Sequence, residues 1–207
     1  MEFFGGTVDV SHLVLTGNAD DSLDWTNGWR GSARNVLIRQ TDKADRGIEA
    51  DNNGRDPSAA PRSQPTLANV TILGSGRGSA GILLREGTGA AIHNSLVTGG
   101  FADGCLDVDG AETAANRKKL TVRGSVLHCA GAGPDFVTEP GESWDPRSVV
   151  GWNDGGNRVV DPALAGYQPR AGSFLLDPSP NPAAQGYIGA VGAADWTRGW
   201  TVPGSLP

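Results

Sequence analysis

The sequence of 207 residues has few aromatic residues, 17 basic residues against 23 acidic ones, and no long apolar stretch. The resulting net charge of −6 argues against nucleic acids and anionic membrane surfaces as partners, since both attract basic proteins. No run of about 18 apolar residues occurs, so we expect no membrane span. Nor does any longer window carry the i, i+3, i+4 apolar stripe of an amphipathic helix.

What the sequence does contain is glycine, at 31 positions, and many short runs of β-branched residues between turn-forming residues. Glycine at this level disfavours a helical bundle, whereas a hydrophobic content of 38% is too high for a disordered chain. Short apolar runs bounded by turn residues are typical of β-strands. The composition therefore predicts an all-β protein.

Five segments of this kind align with one another and indicate a repeat. Their starts are separated by 23, 34, 25 and 30 residues, and the extra length falls in the polar stretches 55–65 and 111–119. Insertions at one point of a repeat are what a solenoid tolerates. The segments are VSHLVLTG (10–17), ARNVLIRQ (33–40), LANVTILG (67–74), IHNSLVTG (92–99) and VRGSVLHC (122–129).

The aligned segments place similar residues in columns. Two apolar columns lie two residues apart, so they share one face of a strand and are predicted to point inward. One position before the first of these columns lies a column rich in asparagine, which favours a tight corner with stacked amides. The first apolar column is Leu13, Val36, Val70, Ser95 and Ser125, and the second is Leu15, Ile38, Ile72, Val97 and Leu127; the asparagine-rich column that precedes the first is His12, Asn35, Asn69, Asn94 and Gly124.

A second strand precedes each of these segments, at 1–6, 23–28, 48–54, 82–87 and 105–110. Each strand–corner–strand–loop unit is predicted to form one coil of a right-handed parallel β-helix with about five to six coils. We expect one domain, with coils over 1–142 and a last coil plus cap over 143–207. The cap would use the tail's aromatic residues, with one further strand predicted at 173–176. Those aromatic residues are Trp144, Trp152, Tyr187, Trp196 and Trp200.

Two motif sets resemble known proteins. The tail DPALAGYQPRAGSFLLDPSPNP…GYIGAV is similar to the ending of many bacterial exported parallel β-helix proteins. EFFGGTVDV, DDSLDWTNGWRG and DRGIEADNNG resemble a group of bacterial cell-envelope proteins, often lipoproteins, that carry them in the second half of a longer chain. The resemblance implies export, a right-handed coil and missing upstream coils, but it brings no catalytic motif. Better-known proteins with this fold are pectate lyases and glycosidases, but a link of this chain to their activities rests on analogy of fold alone.

The chain itself starts without a signal peptide, which favours an origin within a longer, exported protein. Loss of upstream coils would leave an open strand edge at Glu2–Val10, so self-association through that edge is expected. Cys105 and Cys129 are too few for a zinc site, and both free thiols and a disulfide remain open.

The functional clue is an acidic column on the outward side of the first strands. Glu2, Asp24 and Glu49 fall in one column, and two residues on lie Asp51 and Arg85. We call these five residues the acidic face. Carboxylates stacked about 4.8 Å apart repel one another, and raised pKa values or a bound cation would relieve that repulsion.

Three functions are compatible with the acidic face. The first is an exported protein that binds a glycan, with or without cleaving it, since paired carboxylates suit glycoside hydrolysis and Trp29 would stack on a sugar if it is exposed. The second is a metal-dependent hydrolase of ester or phosphoester bonds, with a divalent cation, calcium first, on Asp24, Glu49 and Asp51. The third is a non-catalytic envelope scaffold. The candidate catalytic residues are Asp24, Glu49, Asp51 and Arg85, and the candidate ligand-binding residues are Glu2, Asn27, Trp29, Asn52, Glu86 and Asp109.

Overall fold

The computed structural model describes residues 1–129, 133–177, 185–202 and 204–206. Consecutive strands alternate between two parallel sheets, because each short strand is followed by a corner or loop that leads to the other sheet. The first sheet has the order β1-β3-β5-β7-β10. Its strands are β1 (Glu2–Phe4), β3 (Leu23–Thr26), β5 (Ile48–Ala50), β7 (Ala80–Leu84) and β10 (Gly104–Val108).

The second sheet stacks the longer strands of the repeat. Its members pair in parallel from one coil to the next, and in the later coils the long strand divides into two short ones. They are β2 (Asp9–Thr16), β4 (Ser32–Arg39), β6 (Thr66–Leu73), β8 (Ala90–His93), β9 (Leu96–Thr98), β11 (Leu120–Arg123), β12 (Val126–His128) and β13 (Arg158–Val159). The all-β prediction is confirmed; the closure of the coils into a solenoid, their hand and their number stay predictions.

The inward columns lie where the repeat predicts them. Pairing places Leu15 beside Ile38, Ile38 beside Ile72, and Ile72 beside Val97, with Leu127 next in the same row. These side chains belong to one continuous aliphatic core shared by both sheets. Trp25 is also completely buried, paired with Phe3 on β1, as its inward parity requires.

Strand β10 pairs one residue away from the predicted alignment. Leu106, not Cys105, lies beside Ile82, and Asp107 lies beside Leu83. The adjacent apolar residues Cys105 and Leu106 made the parity of this strand ambiguous in the sequence. Both are fully buried, because Cys105 forms a disulfide with Cys129 inside the core. The outward column of acidic residues therefore continues to Asp107 rather than to Leu106.

The asparagine column forms a corner with left-handed backbone, with φ of 52° at Asn35, 56° at Asn69 and 46° at Asn94. Asparagine tolerates this conformation better than other non-glycine residues. The buried amides donate to the C-terminal segment: Asn69 Nδ2 lies 2.7 Å from the Tyr187 carbonyl, and Asn94 Nδ2 lies 3.0 Å from the Gln185 carbonyl. The segment 185–190 is thereby fixed along three successive coils.

The tail covers the outer face of the second sheet. Leu37 and Leu73 on that face pack against Val191, Trp196 and their neighbours, while Trp152 packs on the core of the last coil. Two assignments in the tail are wrong. Trp200 is 71% exposed, although its ring makes an edge contact with Trp196 and its backbone N–H donates to the Thr197 carbonyl. Residues 174–176 form a 3₁₀ turn capped by Ser173, not a strand.

Helical structure is limited to short pieces in the loops and the tail. In the described ranges, no helix combines the length and apolar character that crossing a bilayer requires. The pieces are α1 (Ala111–Ala115), α2 (Pro146–Val149) and 3₁₀ turns at Arg117–Lys119, Trp152–Asp154 and Phe174–Leu176.

The disulfide should contribute substantially to stability. It joins residues 24 apart in sequence, and closing a loop of this length is worth about 3 kcal/mol in the chain-entropy description. We expect the double variant Cys105→Ala, Cys129→Ala to melt well below the parent. Thermal unfolding with and without reductant measures this: reductant should lower the melting temperature of the parent alone.

Substitution of Asn69 should separate its two roles. Asn69→Gly keeps the left-handed backbone but loses the bonds to the tail, whereas Asn69→Ala also strains the backbone. We expect a loss of about 1–3 kcal/mol for Asn69→Gly and a larger loss for Asn69→Ala, measured by urea unfolding. Equal stability of Asn69→Ala and the parent would contradict the assigned roles of this corner.

Candidate functional site

The outward side of the first sheet carries the acidic face, at one end of the stack of coils. Glu2 pairs with Asp24 and Asp24 with Glu49 on successive strands, so the predicted column of three carboxylates is present. Leu83 follows Glu49 and separates this column from Asp107.

Three carboxylates of neighbouring coils converge at the centre of the acidic face. One oxygen each of Asp21, Asp24 and Glu49 lies within 4.8 Å of the others. Asp21 precedes β3, and its Oδ1 accepts a hydrogen bond of 2.9 Å from the Arg46 backbone N–H. We call these three residues the carboxylate triad. Asp21 is not among the candidates from the sequence, because it lies in the loop before β3 and no repeat pattern marks it as part of the site.

Two arginines hold Glu49 from either side. Arg46 Nη1 and Arg85 Nη2 each lie 2.9 Å from Glu49 Oε1. These are ion pairs whose N–H groups are not well aligned with that buried oxygen. Asp51 is held by Arg85, whose Nε lies 2.9 Å from Asp51 Oδ1. Asp51, predicted to bind metal, is thus an ion-pair partner of Arg85, and Asp21 replaces it in the convergent group.

Burial and mutual repulsion shift the acidity of the triad. Burial, with the charges of Glu2, Asp21 and Asp51, raises the pKa of Asp24 to about 7. Burial and the charge of Asp21 raise the pKa of Glu49 to about 7, although Arg85 and Arg46 oppose the shift. The pKa of Asp21 is also raised, chiefly by burial. Near pH 7, Asp24 and Glu49 can therefore each be either protonated or ionised.

Two predicted ligand-binding residues are structural instead. Trp29 is fully buried, stacks on Phe3 at 4.3 Å between ring centroids and donates its Nε1–H to the Val8 carbonyl. Asn52 is 1% exposed, and its amide donates to the carbonyls of Pro57 and Ala59. Neither side chain can contact a ligand on the acidic face.

The remaining candidates lie at the margins of the acidic face. Asn27 is exposed, accepts a hydrogen bond of 2.9 Å from Asn53 Nδ2 and lines a shallow cavity of about 350 Å³. Glu86 occupies the turn after Arg85, with a φ of 51°. Asp109 converges with other carboxylates, described below, and not with the triad.

An exposed aromatic ring does lie beside the acidic residues. Phe4 is 69% exposed on β1, two residues from Glu2 and paired with Thr26. Because side chains two apart on a strand share a face, Phe4 and Glu2 both point outward. Phe4 therefore offers the stacking surface that Trp29 does not.

Comparison with known proteins agrees with this architecture. Residues 1–130 match the family described as pectate-lyase like beta helix domain. That range holds all five strands of the first sheet and the whole acidic face. No curated protein and no solved structure gives a significant match. Because the family match spans more than half of the sequence, the chain belongs to the family of pectate-lyase-like β-helix domains.

Proposed function

We propose that the acidic face binds a glycan and cleaves its glycosidic bond. The observation that carries this proposal is the pair Asp24 and Glu49, adjacent on neighbouring coils, whose pKa values both lie near 7. Glycoside hydrolysis needs one carboxyl that is protonated and one that is ionised at the same pH. Membership in a pectate-lyase-like family supports a glycan as the ligand class, by analogy of fold.

The surroundings of the two carboxyls suggest their roles. Arg46 and Arg85 contact Glu49 and favour its ionised form, whereas Asp24 is surrounded by carboxylates that favour its protonated form. In the proposed reaction, the glycosidic C–O bond breaks as Asp24 donates a proton to the leaving oxygen and the Glu49 carboxylate bonds to the anomeric carbon. Water that gives its proton to Asp24 then hydrolyses this glycosyl ester and frees Glu49. Oxygens of the two groups lie within 4.8 Å, which suits a retaining pair better than an inverting pair with water between the carboxyls.

Binding would use the edge of the same surface. Phe4 would stack on a sugar ring, while Glu2 and Asn27 are exposed for hydrogen bonds to hydroxyl groups. The buried disulfide supports an oxidising location, so we include export to the periplasm or cell exterior in the proposal.

A second candidate function, a metal-dependent hydrolase of ester or phosphoester bonds, is favoured by the convergence of the triad. Asp21, Asp24 and Glu49 fit a divalent cation because their oxygens converge, and because burial and then the neighbouring carboxylates raise their pKa values. Such a cation, calcium in the first instance, would supply charge stabilisation and orient a substrate oxygen.

The glycan proposal is tested by Asp24→Asn and Glu49→Gln. Each removes one proton-transfer group, so release of reducing ends from a panel of neutral and uronic-acid polysaccharides should fall at least 100-fold relative to the parent. Asp42→Asn, an exposed carboxylate outside the acidic face, is the matched control and should keep full activity. Binding without cleavage by the parent would support a glycan-binding protein. Neither binding nor cleavage, with other proteins captured instead, would support the scaffold.

A cation at the triad should raise the melting temperature by mass action, because it binds the folded state alone. We expect a rise on adding calcium, magnesium, manganese or zinc after chelator treatment, and a smaller rise in Asp24→Asn. Activity that is lost in chelator and restored by one ion would favour the metal-dependent hydrolase. Activity that does not change in chelator would favour glycoside hydrolysis by Asp24 and Glu49 without a metal ion.

The raised pKa of Asp24 makes a signed prediction for stability. The folded chain takes up a proton near pH 7, whereas an unfolded Asp does so near 3.8, so acidification from pH 8 towards 5 should stabilise the protein. Asn at this position cannot ionise. We therefore expect Asp24→Asn to be more stable than the parent at pH 8 by about 1 kcal/mol after allowance for solvent screening. Urea unfolding at pH 8 and pH 5 tests this, and a gap that does not narrow at pH 5 would contradict the assignment.

A further inference from the structure

A second group of carboxylates lies farther along the first sheet, where the chain adds a segment beyond β10. Leu106 pairs with Phe136, and the Val137 N–H donates to the Leu106 carbonyl at 2.9 Å. Glu139 therefore lies opposite Asp109, three residues on from that pair. One oxygen each of Asp109, Glu139 and Glu142 lies within 4.8 Å of the others.

Asp107, on β10, adds a buried carboxylate to this group. Its side chain is 6% exposed, and its Oδ1 has no hydrogen-bond partner among the described residues. Asp107 and Asp109 are two residues apart, so they share the outward face of the sheet. After burial, the charges that raise the pKa of Asp107 are those of Glu139, Glu142 and Asp109. We call Asp107, Asp109, Glu139 and Glu142 the second acidic cluster.

Glu142 contributes another unused oxygen. Its Oε2 accepts a hydrogen bond of 3.0 Å from the Glu139 backbone N–H, which shapes the turn. Its Oε1 is shielded from solvent and has no donor in the described part of the chain. Two buried carboxylate oxygens thus lack partners within one cluster, and unsatisfied buried acceptors of this kind are costly.

The second acidic cluster also lacks a counter-charge. In the described ranges, no lysine, arginine or histidine nitrogen lies within 4.0 Å of its carboxylates. The carboxylate triad differs here, because Arg46 and Arg85 contact Glu49. Protein groups therefore neutralise part of the triad's charge but none of the cluster's.

We propose that the second acidic cluster binds a calcium ion. Four carboxylates can supply much of the six to eight oxygen ligands that calcium takes, and the solvent-facing side leaves room for water. A turn that carries two of the ligands suits calcium better than magnesium, which demands a near-ideal octahedron. The site is independent of the proposed glycan reaction.

The ion would stabilise the contact between β10 and the segment that follows it at the end of the stack of coils. Asp107 and Asp109 belong to β10 and its end, whereas Glu139 and Glu142 belong to the segment that covers it. The same segment is anchored by Trp144, whose Nε1–H donates to the Val108 carbonyl at 2.8 Å. Calcium binding would thus join the last coil to the sheet, and its free energy would add to the stability of the folded state.

Terbium luminescence tests this site with the intact chain. Terbium(III) binds oxygen ligands as calcium does, and the indole of Trp144 lies close enough to sensitise its emission. The measurement is made in the Asp24→Asn background, which disables the triad. We expect sensitised emission that calcium displaces, and a rise in melting temperature with calcium.

Two variants and one control decide the outcome. Asp107→Asn and Glu142→Gln should each weaken terbium and calcium binding at least tenfold and abolish the calcium-dependent rise in melting temperature. Glu112→Gln, a nearby carboxylate outside the cluster, should change neither. If Asp107→Asn does not fold, Glu142→Gln alone carries the test, because its side chain lies in a surface turn. Absence of binding in the Asp24→Asn background, or binding unchanged in both variants, would overturn the proposal.

Discussion

Parallel pairing between successive coils is the constraint on which this structure depends. Each backbone hydrogen-bonds to the equivalent residue one coil away, so every position of the repeat becomes a column at strand spacing. Inward columns of aliphatic residues profit from this spacing because like side chains pack well. Outward columns of carboxylates do not, since like charges are forced into contact distance. The same strand spacing that packs the core therefore causes the electrostatic repulsion within the acidic face.

The two acidic sites differ in how this repulsion is balanced. At the triad, Arg46, three residues before Glu49, and Arg85, on the next coil, both contact Glu49, so the charge is partly balanced by the chain itself. At Asp107 and its neighbours no such arginine is present in the described ranges, and burial is as deep as at Glu49. The two sites resemble each other in acidic composition but differ in their counter-charges: arginines contact the first, whereas for the second we propose a cation.

The sequence predicted the features that follow from periodicity and missed those that depend on long-range contacts. The inward column from Leu15 to Leu127 and the outward column from Glu2 to Glu49 could be aligned, because similar residues recur at one position of the repeat. The register of β10 could not, because Cys105 and Leu106 are both apolar and the disulfide decides between them. The burial of Trp29 could not be predicted, because it depends on contacts with Phe3 and Val8 of the preceding coil. Asp21 joins the triad through a turn, which carries no periodic signal.

The tail changes how the stack of coils can unfold. In a simple solenoid each repeat touches only its neighbours, so single repeats can open with little cost to distant ones. Here the segment 185–190 accepts hydrogen bonds from the corners of three successive coils, at Asn35, Asn69 and Asn94. Opening any one of these corners strips the tail from the other two. The tail therefore couples these three coils into one cooperative unit, which also keeps the outward columns of the first sheet in register.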